Sequence, residues 1–329
     1  MEAIRYSAPG RAGIIGNPSD MYGGTVISCA VPLRARCTLE PADHLSFQSP
    51  IRAIKPDTLE LQGDEFDLCR AALAELGYSV EHAPFTLRIE SDIPVQSGLA
   101  GSSALLTAIV ACLLHYQEGE LPPLPHLAEQ VRRIEAHRLG VSCGYQDFYM
   151  AVFGGIQVME FRDKEGLGSD AQEPLATIEA LSSYLRGVSL PLWLATTGGQ
   201  RFSGAVHRSL RSRWEEGERA VVEGMARIGR LAREAKRALL EQNWQRLAGL
   251  MNENYALIRE LGGSGETLDT LVQVALANGA LGAKLAGAGG AGGTIIVLTL
   301  QPQQTLPALR EHAEQIIPVA PYAPGLIRC

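Results

Sequence analysis

The pattern of apolar and polar positions divides the chain into short strand-like runs and longer helical ones. Ile4–Ala8 and Gly24–Arg36 carry β-branched and apolar residues broken by glycine and proline, which predicts strands with turns. Leu68–Gly77 has helical spacing and a glycine stop, and Phe85–Ser91 reads as a strand. Ser102–Tyr116 is apolar almost all round, which predicts a central buried helix. After the proline-rich connector Glu118–Pro125, His126–Leu139 reads as an amphipathic helix with Leu127, Val131, Ile134 and Leu139 on one side. Ala151–Phe161 is expected as a strand.

In the second half a strand at Leu190–Thr196 leads into helical runs at Ser203–Arg213, Glu218–Gln242 and Trp244–Leu261. Thr267–Asn278 is a further helix, and Thr294–Leu300 a strand. Pro307–Gln315 is the last helix, with Pro307 suited to the first turn, before a closing apolar strand. The polar, glycine-bearing stretch Arg162–Glu173 places a domain boundary near residue 185, giving segments 1–185 and 186–329.

Composition narrows the function. A chain of 329 residues, 46% hydrophobic and 20% charged, has room for two domains. A net charge of −7 with no basic block excludes nucleic acid as a partner. No apolar run is long enough to span a bilayer, and Met1–Gly10 lacks the apolar core of a signal peptide. The six cysteines form no CxxC pair and read as reduced thiols of a cytoplasmic protein. The expectation is a cytoplasmic monomer or homodimer without a membrane partner.

Candidate chemistry gathers in three glycine-bearing clusters. The first, "APGRAGIIGNPSDMYGG" at Ala8–Gly24, packs Arg11, Asn17, Ser19 and Asp20 around a turn. It is either a tight β-turn or a polar substrate loop on a strand end. The second, "DIPVQSGLAGSSALL" from Asp92, sets Pro94, Gly98, Leu99, Ala100, Gly101, Ser102 and Ser103 at the start of the apolar helix. A helix N-terminus offers unpaired N–H groups, and glycine lets an anion come close, so this stretch is a capped helix or a phosphate cradle. Ser102 or Ser103 is expected to cap that helix. It is not a P-loop, because GxxxxGK[ST] is absent. The third, "KLAGAGGAGG" at Lys284–Gly293, is too glycine-rich to be cheap and implies close backbone approach to a ligand or another loop.

Two carboxylates complete the set. Glu135 falls beside the apolar stripe of its helix, so it is expected to be partly buried with a cation or arginine for partner. Asp147 follows a Cys-Gly turn in "EAHRLGVSCGYQD". Each acid alone also fits a salt bridge or a solvated edge.

In this order the clusters resemble the GHMP kinases, the family of galactokinase, homoserine kinase, mevalonate kinase and phosphomevalonate kinase. Pro94, Gly98, Leu99, Ser102, Ser103 and Ala104 match the family's central motif, Ala8–Arg11 its first and Lys284–Gly290 its third. The resemblance implies an α+β fold of two domains, the first like domain 2 of ribosomal protein S5 and the second a ferredoxin-like α/β sandwich. It implies ATP and Mg²⁺, with Ser103 and Glu135 as metal ligands and Pro94 and Gly98–Ser103 around the triphosphate. Asp147 would be the catalytic carboxylate and Arg11 the cation beside it. Asn17, Ser19, Asp20, Gly144, Gln146, Gly287, Ala288, Gly289, Arg201 and Arg211 would surround a small-molecule acceptor.

"GNPSDMYGG", "IPVQSGLAGSSA", "GYQD" and "VHRSLRSRWEEGE" are most similar to the family's glucuronate-phosphorylating branch. A uronic acid would need a cation, and Arg201, His207, Arg208, Arg211 and Arg213 are candidates. Phe148 departs from that branch, which tends to carry arginine there. The alternatives are a kinase of another sugar, such as galactose, arabinose or a heptose derivative, and a sugar- and ATP-binding sensor without turnover. Retention of Arg11, Ser103, Glu135 and Asp147 together favours catalysis.

Overall fold

The computed structural model describes residues 2–164, 174–197, 203–287, 289–290, 292–319 and 322–329, with the backbone alone at 203–208. The first half builds β1 (Ile4–Ile15), β2 (Thr25–Pro41), β3 (Ser46–Gln48), β4 (Ala53–Ile54), α1 (Asp67–Glu75), β5 (Phe85–Ser91), α2 (Gly101–Glu118), α3 (Leu124–Arg133), α4 (Gln146–Phe153), β6 (Ile156–Glu160) and β7 (Thr177–Ala180). The second builds β8 (Leu192–Thr196), α5 (Ser203–Glu215), α6 (Arg219–Leu240), α7 (Trp244–Glu260), α8 (Glu266–Ala277), β9 (Gly282–Leu285), β10 (Thr294–Leu298), α9 (Pro302–Arg310), β11 (Gln315–Pro318) and β12 (Ile327–Arg328).

The first sheet runs β12-β1-β2-β5-β3-β4, with β6 and β7 extending from β2. The second runs β11-β8-β10-β9 and is antiparallel throughout. That order, reached as strand, helices, two strands, helix and strand, is the ferredoxin-like split βαβ arrangement expected. Together they form the two-domain α+β fold expected.

β1 is the axis of the molecule. It is buried on both faces because α2 lies on one and α6 and α7 on the other. Ala8, Ala12 and Ile14 join a core shared with Leu231 and Leu239 of α6, Leu250 of α7 and Ile296 of β10. α2 is the predicted central helix, with Leu106, Ile109, Val110 and Leu113 fully enclosed. The burial fixes the direction in which its N-terminus points.

Four expectations are corrected. Ala151–Phe161 is not one strand: α4 runs through Phe153, Gly154 and Gly155 turn the chain with φ of 65° and 62°, and β6 follows. A continuous apolar run does not distinguish a buried helix from a buried strand. The helix expected to Leu139 is α-helical only to Arg133, then widens into a π turn over Ile134–Arg138. Pro307 lies inside α9, and Pro302 takes the first turn. The interior proline is tolerated because Gln303, whose carbonyl loses its partner, is exposed. The closing strand resolves into β11 and a return to the first sheet. There Gly155 N donates to Ala323 O at 2.8 Å, Leu326 N to Val152 O at 3.2 Å, and β12 pairs with β1. No helix among the described residues is long and apolar enough to cross a membrane.

Ile109→Ala is expected to cost about 2–5 kcal/mol, the range for emptying an enclosed aliphatic site. Leu61→Ala, at a position 44% exposed, is expected to stay within about 0.5 kcal/mol in the same denaturant titration.

Candidate active site

Arg11 is placed by an irregularity in β1. The pairing register with β2 shifts between Pro9 and Arg11, a bulge of the kind that re-aims a side chain. The guanidinium is buried and meets three segments. Its Nε donates to Asp147 Oδ1 at 2.6 Å, and its Nη1 to the carbonyls of Gly98 at 2.8 Å and Ala286 at 3.4 Å. The backbone closes equally tightly, since Arg11 N donates to Leu99 O at 2.9 Å and Gly13 N to Ala286 O at 2.6 Å. Glycine is required for that approach. A Cβ at Gly10 would lie 2.6 Å from Leu99 O, and one at Gly287 2.3 Å from Gly98 O. The late glycine cluster therefore packs on another loop, one of the two readings its composition allowed.

The loop before α2 alternates through the left-handed region, with φ of 56° at Gln96, 79° at Gly98 and 59° at Ala100. For the two non-glycine residues this stores on the order of 1–3 kcal/mol each. The first N–H groups of α2 lack helical partners, and a backbone curled in this way at a helix start can receive an anion. Ser102 and Ser103 do not cap the helix as expected. Ala100 occupies the cap position without a side-chain bond, so both serines sit inside the first turn. Their hydroxyls instead reach across to α3's π turn, Ser102 Oγ donating to Glu135 Oε1 and Ser103 Oγ to Oε2, each at 2.9 Å.

Glu135 is buried and has no cationic partner among the described residues. Burial pushes its carboxyl up to about 7; the serine bonds oppose that rise and the charge of Asp147 adds to it. Two hydroxyls converging on one carboxylate form an oxygen donor set that fits a hard divalent cation completed by phosphate oxygens and water.

The opposite wall carries Asp147 in the first turn of α4 and Asp20 in the short 3₁₀ segment Ser19–Tyr22. Asp20 Oδ2 accepts from the amides of Tyr145 at 2.9 Å and Gln146 at 3.1 Å, and Oδ1 from Gln146 Nε2 at 2.9 Å. Gln146 Oε1 accepts from Ser28 Oγ at 2.9 Å. Burial first, then the neighbouring Asp147, pushes Asp20 up to about 6.

These walls enclose a cavity of about 370 Å³. Arg11, Asn17, Asp20, Glu135, Gly144, Gln146, Asp147 and Gly287 line it, as do Pro94, Gly98, Ala100, Gly101, Ser102 and Ser103. Other expected residues lie behind it. Leu99 is enclosed and acts through its carbonyl, and Ser19 donates to Thr25 O at 3.2 Å. Gly289 packs so close to Gly263 that a Cβ would sit 1.6 Å from its carbonyl. Arg211 bonds Glu215 at 2.7 Å and the carbonyl of Met21, a lining residue, at 2.8 Å. Arg213 is held by Glu218 at 2.7 Å and Leu261 O at 2.7 Å. Phe148 is fully enclosed in the core, so its departure from arginine does not face the cavity. Arg201 and Ala288, and the side chains of His207 and Arg208, lie outside the described residues.

Sequence reasoning missed the apolar side chains of the cavity's lining, among them Leu68, Ile93, Leu105 and Val141. They come from four separate segments, and no linear pattern marks them. It also missed Lys284, although the residue opens the third cluster.

A helix N-terminus, an oxygen donor set and an arginine–carboxylate pair facing one cavity define a phosphotransferase of small molecules. The family model described as GHMP kinases N terminal domain matches residues 67–155, and that described as GHMP kinases C terminal matches 235–317. The chain is 33% identical over 312 residues to "Probable glucuronokinase 2" of Arabidopsis thaliana, covering 85% of this chain and 81% of the relative. It is 32% identical over 320 residues to "Glucuronokinase 1" of the same plant, covering 88% and 84%. The crystal structure of Lactococcus lactis galactokinase complexed with galactose superposes with a TM-score of 0.77 at 19% identity, over 100% of this chain and 95% of that one, which shows the shared fold. The chain belongs to the GHMP kinases, which take their phosphoryl group from ATP.

Two predictions follow from this geometry. Glu135 and Asp20 titrate above their ordinary values of 4.5 and 3.8, so the stability they contribute is full below those values and lost as pH rises through about 7 for Glu135 and about 6 for Asp20. The unfolding midpoint in chelator is expected to fall from pH 5 to pH 7.5, and Glu135→Gln to flatten that fall by on the order of 3 kcal/mol. Gly287→Ala, forcing a Cβ against Gly98 O, is expected to weaken ATP binding at least about tenfold by calorimetry, because the loop before α2 must shift.

Proposed function

We propose that the sugar this kinase phosphorylates is glucuronate, at its anomeric hydroxyl, giving glucuronate 1-phosphate. The Arg11–Asp147 pair, 2.6 Å apart and facing the same cavity as the α2 N-terminus, carries the reading of phosphoryl transfer. The similarity to the two glucuronokinases supports the choice of sugar.

In this reading the amides of Gly101, Ser102 and Ser103 hold the triphosphate, and the apolar lining residues Leu68, Ile93, Leu105 and Val141 take the purine. Ser103 and Glu135, with Ser102 beside them, hold Mg²⁺, which screens the phosphate charge when bound. Asp147 orients the acceptor hydroxyl and receives its proton as the hydroxyl oxygen bonds to the γ-phosphorus and the bond to ADP breaks. A base so placed is worth about 10²–10⁴-fold. Arg11 faces the charge that accumulates on the transferring group, the role a cation plays in phosphoryl transfer. Asp20, already accepting three internal bonds, holds the Tyr145–Gln146 backbone and thereby the start of α4 beneath Asp147.

One observation favours a neutral sugar as the second reading. Among the described residues that line the cavity, Arg11 is the only lysine or arginine, and it is bonded to Asp147. A uronate carboxylate in the first reading is paired by Arg201, His207 or Arg208.

The test is ATP turnover against a panel of free sugars and uronic acids, with the new phosphate located by NMR. Glucuronate is expected to give the highest kcat/KM, with phosphorus coupled to the anomeric proton. At least one of Arg201→Ala, His207→Ala and Arg208→Ala is expected to raise KM for glucuronate by about tenfold or more while leaving KM for ATP unchanged. Preference for galactose or another neutral sugar selects the second reading.

A further inference from the structure

One cation beside the site has no part in the chemistry above. Lys284, on β9, is fully buried. Its Nζ donates to Asn17 Oδ1 at 2.5 Å and to the Leu285 carbonyl at 2.5 Å, so its bonded partners are neutral oxygens. Burial, with Arg11 adding to it, lowers its pKa to about 7. An enclosed ammionium without a carboxylate costs free energy that packing alone does not require. A methionine would fill the same length of strand.

What the ammonium does is visible in the bonds beyond it. Asn17, its oxygen fixed by Lys284, donates Nδ2 to the carbonyls of Leu285 at 3.2 Å and Gly287 at 3.1 Å. The two residues brace the turn after β1 against the chain leaving β9. Between the braced points lies Ala286, whose carbonyl accepts from Gly13 N at 2.6 Å and from Arg11 Nη1 at 3.4 Å. Gly287, the next residue, stands against Gly98, the other carbonyl that Arg11 Nη1 grips. Lys284 is not among the described residues lining the cavity, so it reaches the reacting groups only through this chain of bonds.

We propose that Lys284 is a positioning residue for phosphoryl transfer: through Asn17 and the Leu285 carbonyl it locks the glycine turn against β1, so that the Ala286 and Gly98 carbonyls hold Arg11 on Asp147. The inference rests on the reading of Arg11 and Asp147 given above. Asn17, expected from sequence to touch the acceptor, has both ends of its amide occupied by this brace.

The test compares wild type with Lys284→Met, Arg11→Met and the double variant, using the sugar that wild type turns over best. Lys284→Met is expected to lower kcat about 10–100-fold while KM for ATP and sugar stays within about threefold. In the Arg11→Met background the same change is expected to add less than about twofold, because both variants undo one arrangement. A Lys284→Met enzyme with normal kcat, or one whose loss multiplies fully with that of Arg11→Met, overturns the proposal. Should Lys284→Met fail to fold, Asn17→Ser cuts the same brace and is judged by the same two outcomes. Full activity in Arg11→Met alone refutes the reading beneath the proposal, whereas an Arg11-dependent enzyme indifferent to Lys284 refutes only the brace.

Discussion

Everything in this site depends on how closely three segments approach one strand around Arg11. The guanidinium takes Asp147, Gly98 and Ala286 at once, and the backbone of β1 bonds to Leu99 and Ala286 on either side of it. Such closure is possible only where side chains are absent. Gly10 admits the loop before α2, and Gly287 lets the late glycine turn rest on that loop. The entropic cost of ordering these glycines is offset by an arginine whose position is set from three directions.

The larger architecture serves that closure. α2 is enclosed along most of its length, which holds its N-terminal amides toward the cavity despite the left-handed backbone at Gln96 and Ala100. The core shared by β1, α6, α7 and β10 ties the second sheet to the first, so β9 and its glycine turn arrive at a fixed height above Arg11. Two acids are kept in surroundings that raise them, Glu135 by burial against two serines and Asp20 by burial beside Asp147. Such carboxylates are costly in an empty protein and suit one that receives a cation and a polar acceptor.

The fold was legible where local chemistry decides it. The Phe85–Ser91 strand, the buried helix through Tyr116 and the helices α5 to α8 follow from periodicity and stops, whereas the last helix, expected at Pro307–Gln315, lies at Pro302–Arg310. Ala151–Phe153 was misread because an apolar run flanked by a glycine-bearing turn fits helix or strand alike, and only the double glycine at 154 and 155 separates α4 from β6. In the site, Arg11, Ser103, Glu135 and Asp147 were marked by their motifs and the structure brings them to one cavity. Partners were less legible. The pattern of Ser102 and Ser103 read as a helix cap, because nothing in the line of residues shows a π turn presenting Glu135 from above. Arg211 and Arg213 read as acceptor contacts by charge alone, yet each is bonded to a glutamate and a backbone carbonyl. Lys284 read as the edge of a glycine motif, and its meaning lies in Asn17, distant along the chain.

In the proposed reaction Asp147, held by Arg11, serves the transfer step and not nucleotide binding. Single-turnover phosphoryl transfer by Asp147→Asn, measured by rapid quench alongside its ATP affinity, tests it most directly. The expected result is a rate lowered by about 10²-fold or more with ATP affinity within about threefold of wild type. A transfer rate near that of wild type, in a variant that binds ATP normally, would contradict it.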